Sequence, residues 1–220
     1  MRVRSAMRTR GWSGNVPTTD GEARARILAA TRGVIDIKGD QTTIADVARV
    51  LGVTRQTIYH YFPSTDELLG AVAMDASWAF AGNLVTALRG VGDPAEAIVE
   101  GLMLALERLP QDPYIGVLLN AQHVAAFAAI PGSVLAQNQT RGVLERLDVD
   151  WSGFSSAALD DIVQLTLRML QSFILSPVQP GVELRRLVHR WVGPVIAEAQ
   201  RASRPRARRQ RRTPVAPDAP

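Results

Sequence analysis

The side chains best equipped for acid–base or metal chemistry are the adjacent pair Asp160–Asp161 and the three histidines, His60, His123 and His189. Adjacent positions on a helix diverge by about 100° around the axis, so the two carboxylates do not converge on one reacting atom. Placed in the first turn of a helix, they answer the positive end of its dipole instead. The histidines have no metal-ligand spacing. Cysteine is absent, which removes thiolate metal sites and disulfides and fits a reducing cytoplasm. No nucleophile–base pairing emerges either, so no enzyme activity, no metal and no cofactor is expected.

A different chemistry fits Arg55, Gln56, Thr57, Tyr59 and His60, which fall within the stretch TIADVARVLGVTRQTIYHYF from Thr43 to Phe62. Arg and Gln can each make paired hydrogen bonds to base edges, to guanine and to adenine respectively, and a Thr methyl can meet the thymine methyl. Tyr59 and His60 can donate to phosphate, as can the Thr43 hydroxyl and the amides at the helix start beside it. Such a set works only if it is held on one outward face.

The surrounding residues supply that hold. Ile44, Val47 and Ala48 give a short first helix an inward face at i, i+3 and i+4, and the small Ala48 lets a second helix cross closely. Gly52 permits the left-handed turn after the first helix. Val53 plugs the corner, Thr54 caps the second helix, and Ile58 and Phe62 anchor it inward. The pattern predicts a helix-turn-helix with Thr43, Thr54, Arg55, Gln56, Thr57, Tyr59 and His60 as its DNA-contacting residues.

Helical punctuation continues on both sides, and strand signals are scarce. Thr19-x-x-Glu22 has capping-box spacing and opens a helix from Asp20 to Lys38 that Gly39 ends. Ser64-x-x-Glu67 opens a long helix to around Arg89, after the stop at Pro63. Asp93-Pro94 and Asp112-Pro113 each place a cap before a first-turn proline. Ile98, Leu102, Ala105 and Leu109 form one stripe. From Ser156 to Leu175 the apolar residues go nearly all the way round, so this helix needs cover on more than one side. A last helix from Val182 to about Ala199 contains Gly193-Pro194, which should kink or end it. The reading is all-α: a three-helix DNA-binding unit over 19–63 and a helical effector-binding and dimerisation body over 64–200. A basic disordered arm (1–18) and an Arg-rich disordered tail (201–220) flank them.

Charge is divided as sharply as the elements. The formal net charge is +4, yet residues 1–20 and 201–220 together carry +9 and residues 21–200 carry −5. The basic character therefore belongs to the ends, and the case for DNA rests on the motif rather than on the isoelectric point. The seven arginines of the tail can add sequence-independent affinity. Residues 113–140 carry no Asp, Glu, Lys or Arg, long enough on that count to span a bilayer. Asn120, Gln122, His123 and Pro131-Gly132 interrupt the run, so Tyr114 to Leu119 and Val124 to Ile130 are expected to be buried helices and no membrane is expected as a partner. Within this segment Asn120 and His123 could give polar contacts to a small apolar effector, with Trp78 and Phe127 lining the same pocket.

The stretch TTIADVARVLGVTRQTIYHYFPSTDELL resembles the N-terminal DNA-binding domain of the TetR family of bacterial regulators. The likeness runs over roughly residues 20–75 and includes the first helix, the Gly before the Thr-Thr pair and the Tyr-x-Tyr-Phe end of the recognition helix. It implies a homodimer on double-stranded DNA at a palindromic operator, usually a repressor, released by a small molecule and held together by a four-helix bundle of its last two helices. The alternative is a regulator of the same fold with no small-molecule effector, controlled by a protein partner or by abundance. One departure stands out: Thr65 occupies the position where many members carry a phosphate-contacting Lys at the start of the fourth helix.

Overall fold

A computed structural model describes residues 12–119, 127–178 and 183–203. Among the described residues every regular element is helical. The principal helices are α1 (Asp20–Lys38), α2 (Ile44–Leu51), α3 (Arg55–Tyr61), α4 (Thr65–Ala87), α5 (Pro94–Arg108), α6 (Pro113–Gly116), α7 (Val134–Leu144), α8 (Ser156–Leu175) and α9 (Leu184–Ser203). The all-helical architecture read from the sequence is the one observed.

Helix starts are fixed by short polar side chains. Thr19, Thr43, Thr54, Ser64, Asp93, Asp112, Ser133 and Ser155 cap α1 to α8 in turn, each accepting from an amide in the first turn. Such caps contribute about 1 kcal/mol apiece. At Thr19 the expected box is modified: the Glu22 carboxylate accepts from the Thr18 amide at 2.7 Å and from its hydroxyl, one residue before the cap. Gly52 ends α2 in the left-handed region, with φ of 66° and ψ of 30°, a conformation that costs a side-chain-bearing residue more.

Three clusters of buried residues follow one another along α4. Ile27, Val34, Ile44, Val47, Ile58, Phe62 and Leu68 form the core of the N-terminal helices. Leu69, Val72 and Ala76 join Ile35 of α1 with Leu109, Ile115 and Phe127. Leu88, Ile98, Leu102, Leu159, Ile162, Val188 and Val192 make the third, between α5, α8 and α9. Leu68 thus belongs to the N-terminal core, and the division at Pro63 falls inside a packed unit. By length and composition α4 could cross a bilayer, yet Leu68, Leu69, Val72, Ala73, Ala76 and Ala81 are buried in this bundle.

Two expectations change. Of the two outcomes expected at Gly193-Pro194, a kink or an end, the end does not occur, and the last helix continues to Ser203. Proline forfeits a single backbone hydrogen bond there, while Val188, Val192 and Ile196 keep both halves packed against the body. The Tyr114–Leu119 stretch is a one-turn α6 followed by a 3-10 turn over Val117–Leu119, rather than one helix. On α8, which needs cover on more than one side, Leu167 is buried within its own chain. Residues 120–126 of the uncharged segment, and with them the first part of the expected Val124–Ile130 helix, the arm before Trp12 and the tail after Ser203 lie outside the described residues.

Candidate DNA-binding face and interior cavity

α3 is short, and each end is tied down. At its start the Thr54 hydroxyl accepts from the Thr57 amide at 3.1 Å and lies 2.9 Å from the Thr57 hydroxyl. At its end Arg24 of α1 donates to the Tyr61 carbonyl at 2.7 Å, and its guanidinium sits 4.3 Å from the Phe62 ring centroid. The Tyr61 hydroxyl donates to Asp20 of α1 at 3.4 Å, and burial with that carboxylate pushes the phenol pKa up. Ile58 and Phe62 are buried, leaving Arg55, Gln56, Tyr59 and His60 exposed and Thr57 half-buried.

α2 is locked to α1 by Asp46. This buried carboxylate accepts from Lys38 at 2.7 Å, from Arg49 at 2.9 Å and from the Thr43 hydroxyl at 2.7 Å. The Lys38 hydrogen bond, followed by that from Thr43, holds its pKa well below the ordinary carboxylate value. One expected role is corrected here. The Thr43 proton is engaged by Asp46, and its oxygen accepts from the Asp46 amide at 3.3 Å. That hydroxyl is therefore a helix clamp, not a free phosphate donor.

A partly open cavity of about 200 Å³ lies between α4, α5, α7 and α8. Small residues open it, with Gly70, Ala73 and Ala81 on α4 facing Gly101 and Ala105 on α5. Among the described residues no charged side chain lines it. Phe127 lines it. Trp78 does not: it is 52% exposed, and the lining position is its neighbour Ser77. One helical residue is a rotation of about 100°, enough to move a side chain from cavity to solvent. Asn120 and His123 lie outside the described residues. Its polar lining residues are Ser77, Gln139, Thr140 and Thr166; of these Gln139 of α7 is 9% exposed, with its Oε1 2.8 Å from the Ser77 hydroxyl and its Nε2 without a hydrogen-bond partner among the described residues.

Two further features bear on assembly and communication. On α8 and α9 the rings of Phe173 and Trp191 stack with centroids 6.5 Å apart and planes 12° from parallel. Trp191 is 51% exposed, and Leu175 and Val195 are exposed on the same two helices. On the other side of the body, Arg32 of α1 pairs with Asp75 of α4. The carboxylate of Asp36 on α1 raises the pKa of the Tyr114 hydroxyl. Among the described residues no group of three acidic or histidine side chains could hold a metal.

Sequence reasoning did not single out Arg24, Ser77 or Gln139. Arg24 and Asp20 lie one turn apart on α1, but nothing in the sequence says that the end of α3 will meet that face. Gln139 belongs to the polar run Gln137-Asn138-Gln139, which reads as the close of an apolar stretch and is in fact the middle of α7.

Comparison with known proteins agrees with this geometry. Residues 27–72 match the family described as bacterial regulatory proteins, tetR family. An uncharacterized HTH-type transcriptional regulator of Mycobacterium bovis is 28% identical over 128 residues, or 56% of this chain; the match spans 64% of that relative's length. In fold the chain is similar to the TetR family repressor AlkX from Dietzia sp., implicated in biodegradation of n-alkanes, with a TM-score of 0.58 at 20% identity over 84% of this chain and all of that one. It is also similar to RolR solved with the ligand resorcinol, with a TM-score of 0.54 at 25% identity over 83% of this chain and 93% of that one.

Proposed function

Because this chain carries a tetR-family domain at residues 27–72, we infer that it is a homodimeric DNA-binding transcriptional regulator, a repressor released from a palindromic operator by a small apolar effector. The observation that carries the reading is α3: capped by Thr54, clamped by Arg24 and anchored by Ile58 and Phe62, it leaves Arg55, Gln56, Tyr59 and His60 on an open face. Arg55 and Gln56 read bases. Tyr59, His60 and the amides at the start of α2 position the phosphates.

The dimer forms through α8 and α9. Stacked Phe173 and Trp191, with Leu175 and Val195 exposed on the same two helices, present apolar surface of the kind that marks an interaction site. The effector occupies the uncharged cavity. RolR was crystallised with resorcinol, a small neutral molecule, which supports a ligand of that general kind here. Two paths lead from cavity to α3: the continuous α4, and the contacts of α1 with Asp75 and Tyr114.

Selection of duplexes from a random pool by the full-length protein tests this reading. Enriched sequences should contain two inverted half-sites about 34–36 Å apart along the DNA. A pool that shows no enrichment would refute it.

A further inference from the structure

We propose that the cavity takes a neutral, largely apolar molecule bearing a hydroxyl group, and that the Gln139 carboxamide, positioned by Ser77, recognises that hydroxyl. The assignment rests on reading the cavity as the effector site and adds the chemistry of what it binds.

The argument begins with an unmet hydrogen bond. A buried polar group left without a partner is destabilising, so a carboxamide with one open end is not neutral filler in an apolar interior. Gln139 is more than nine-tenths buried, and its Nε2 has no partner while its other end is engaged by Ser77. Both residues line the cavity. The lining also holds the hydroxyls of Thr140 and Thr166, the latter donating to the Ile162 carbonyl at 2.8 Å.

Proton counting narrows the ligand group. The Ser77 hydroxyl has one hydrogen and two oxygens within reach, the Met74 carbonyl at 2.6 Å and Gln139 Oε1 at 2.8 Å. If the proton goes to Gln139, the amino end of the carboxamide faces the cavity and needs an acceptor. If it goes to Met74, a half-turn of the carboxamide lets its amino group donate to Ser77, and its oxygen then faces the cavity and needs a donor. A hydroxyl is both donor and acceptor and completes either arrangement. A ketone or an ether completes one.

Charge and size set the remaining limits. With no charged lining residue among those described, an ionised ligand would lose its hydration without a counter-charge. An apolar cavity of about 150 Å³ holds benzene, so about 200 Å³ suits on the order of eight non-hydrogen atoms. p-Cresol and toluene are therefore apt probes, differing only in the hydroxyl.

Calorimetric titration of the full-length protein with both probes tests the assignment. p-Cresol should bind about tenfold more tightly than toluene, the scale of one net hydrogen bond. In Gln139→Leu that preference should vanish, and toluene should bind the variant more tightly than the unaltered chain. Ser77→Ala should reduce the preference while keeping toluene binding, which serves if Gln139→Leu fails to fold. Equal binding of the two probes, a preference that survives both substitutions, or no binding of either would overturn the assignment. Affinity for the selected duplex is measured alongside. p-Cresol that binds through Gln139 without weakening DNA binding would count against the effector reading and leave this assignment standing.

Discussion

Arg32 of α1 lies with its guanidinium carbon 5.7 Å from the ring centroid of Tyr114, joining the helix that clamps α3 to a segment beside the cavity. Ile115, the next residue, lines that cavity. Arg32 also pairs with Asp75, so α1, α4 and α6 meet at one guanidinium. A ligand that shifts α6 or α4 therefore acts on α1 directly, besides acting through Pro63. Arg32→Ala and Tyr114→Phe should each reduce the coupling between p-cresol and DNA by about 0.5–2 kcal/mol. Titration of p-cresol with and without the selected duplex measures it, and reciprocity requires both directions to agree. Unchanged coupling in both variants would leave α4 as the sole route.

The open face of α3 makes a prediction that separates base reading from phosphate contact. Arg55→Ala or Gln56→Ala should relax preference at particular base pairs, at about 1–3 kcal/mol per lost bidentate contact. Tyr59→Phe should weaken binding evenly across sequences. Repeating the duplex selection with each variant distinguishes the patterns.

Dimer formation should depend on Trp191 rather than Leu167. Trp191→Asp puts a charge on a half-exposed face and should give folded monomers by sedimentation, with normal helical circular dichroism. Leu167→Asp places an unpaired carboxylate among Leu159, Ile162 and Val163. Since burying an unpaired charge is strongly unfavourable, that variant should lose its cooperative melt.

Asp46 gives the N-terminal helices a pH dependence of predictable sign. Its folded pKa is depressed below the ordinary 3.8 by Lys38, Thr43 and Arg49. The unfolded chain therefore takes up a proton first as pH falls. The stabilisation is complete well above pH 3.8 and is lost progressively as pH drops through that value toward the folded pKa. Urea unfolding of the chain and of Asp46→Asn should show a stability gap at pH 7 that narrows below about pH 4. A gap independent of pH would mean that the ion cluster is not its source.

How much of this was legible beforehand depended on the range of the interaction. Caps, helix ends and the inward set Ile44, Val47, Ala48, Ile58 and Phe62 are local, and residues a few positions apart specify them. The outward set on α3 followed from the same periodicity. The Thr43 hydroxyl was misread because the cap and Asp46 engage it together, leaving no spare proton. Trp78 was misplaced by a single step around α4, where both Ser77 and Trp78 suit a pocket wall and only packing chooses. Ser77 and Gln139 are 62 residues apart in the chain, and no short-range pattern announces that pairing. Pro194 illustrates the reverse case, a strong local signal overridden by tertiary contacts on both sides of it.

Lys38 is the only lysine in a chain with 24 arginines, and its ammonium is held by Asp46 at the end of α1. A lysine-specific protease therefore has one peptide bond to cut, Lys38–Gly39, and that bond lies at the junction of α1 with a 3-10 turn. Cleavage requires the side chain to leave Asp46 and the helix end to unwind, so the rate of a single cut reports the opening of the N-terminal unit. Any occupant that tightens α1 against α2 would slow that cut, and one that loosens them would speed it. The scarcity of one residue type thus leaves the molecule with a built-in clock for its own local unfolding.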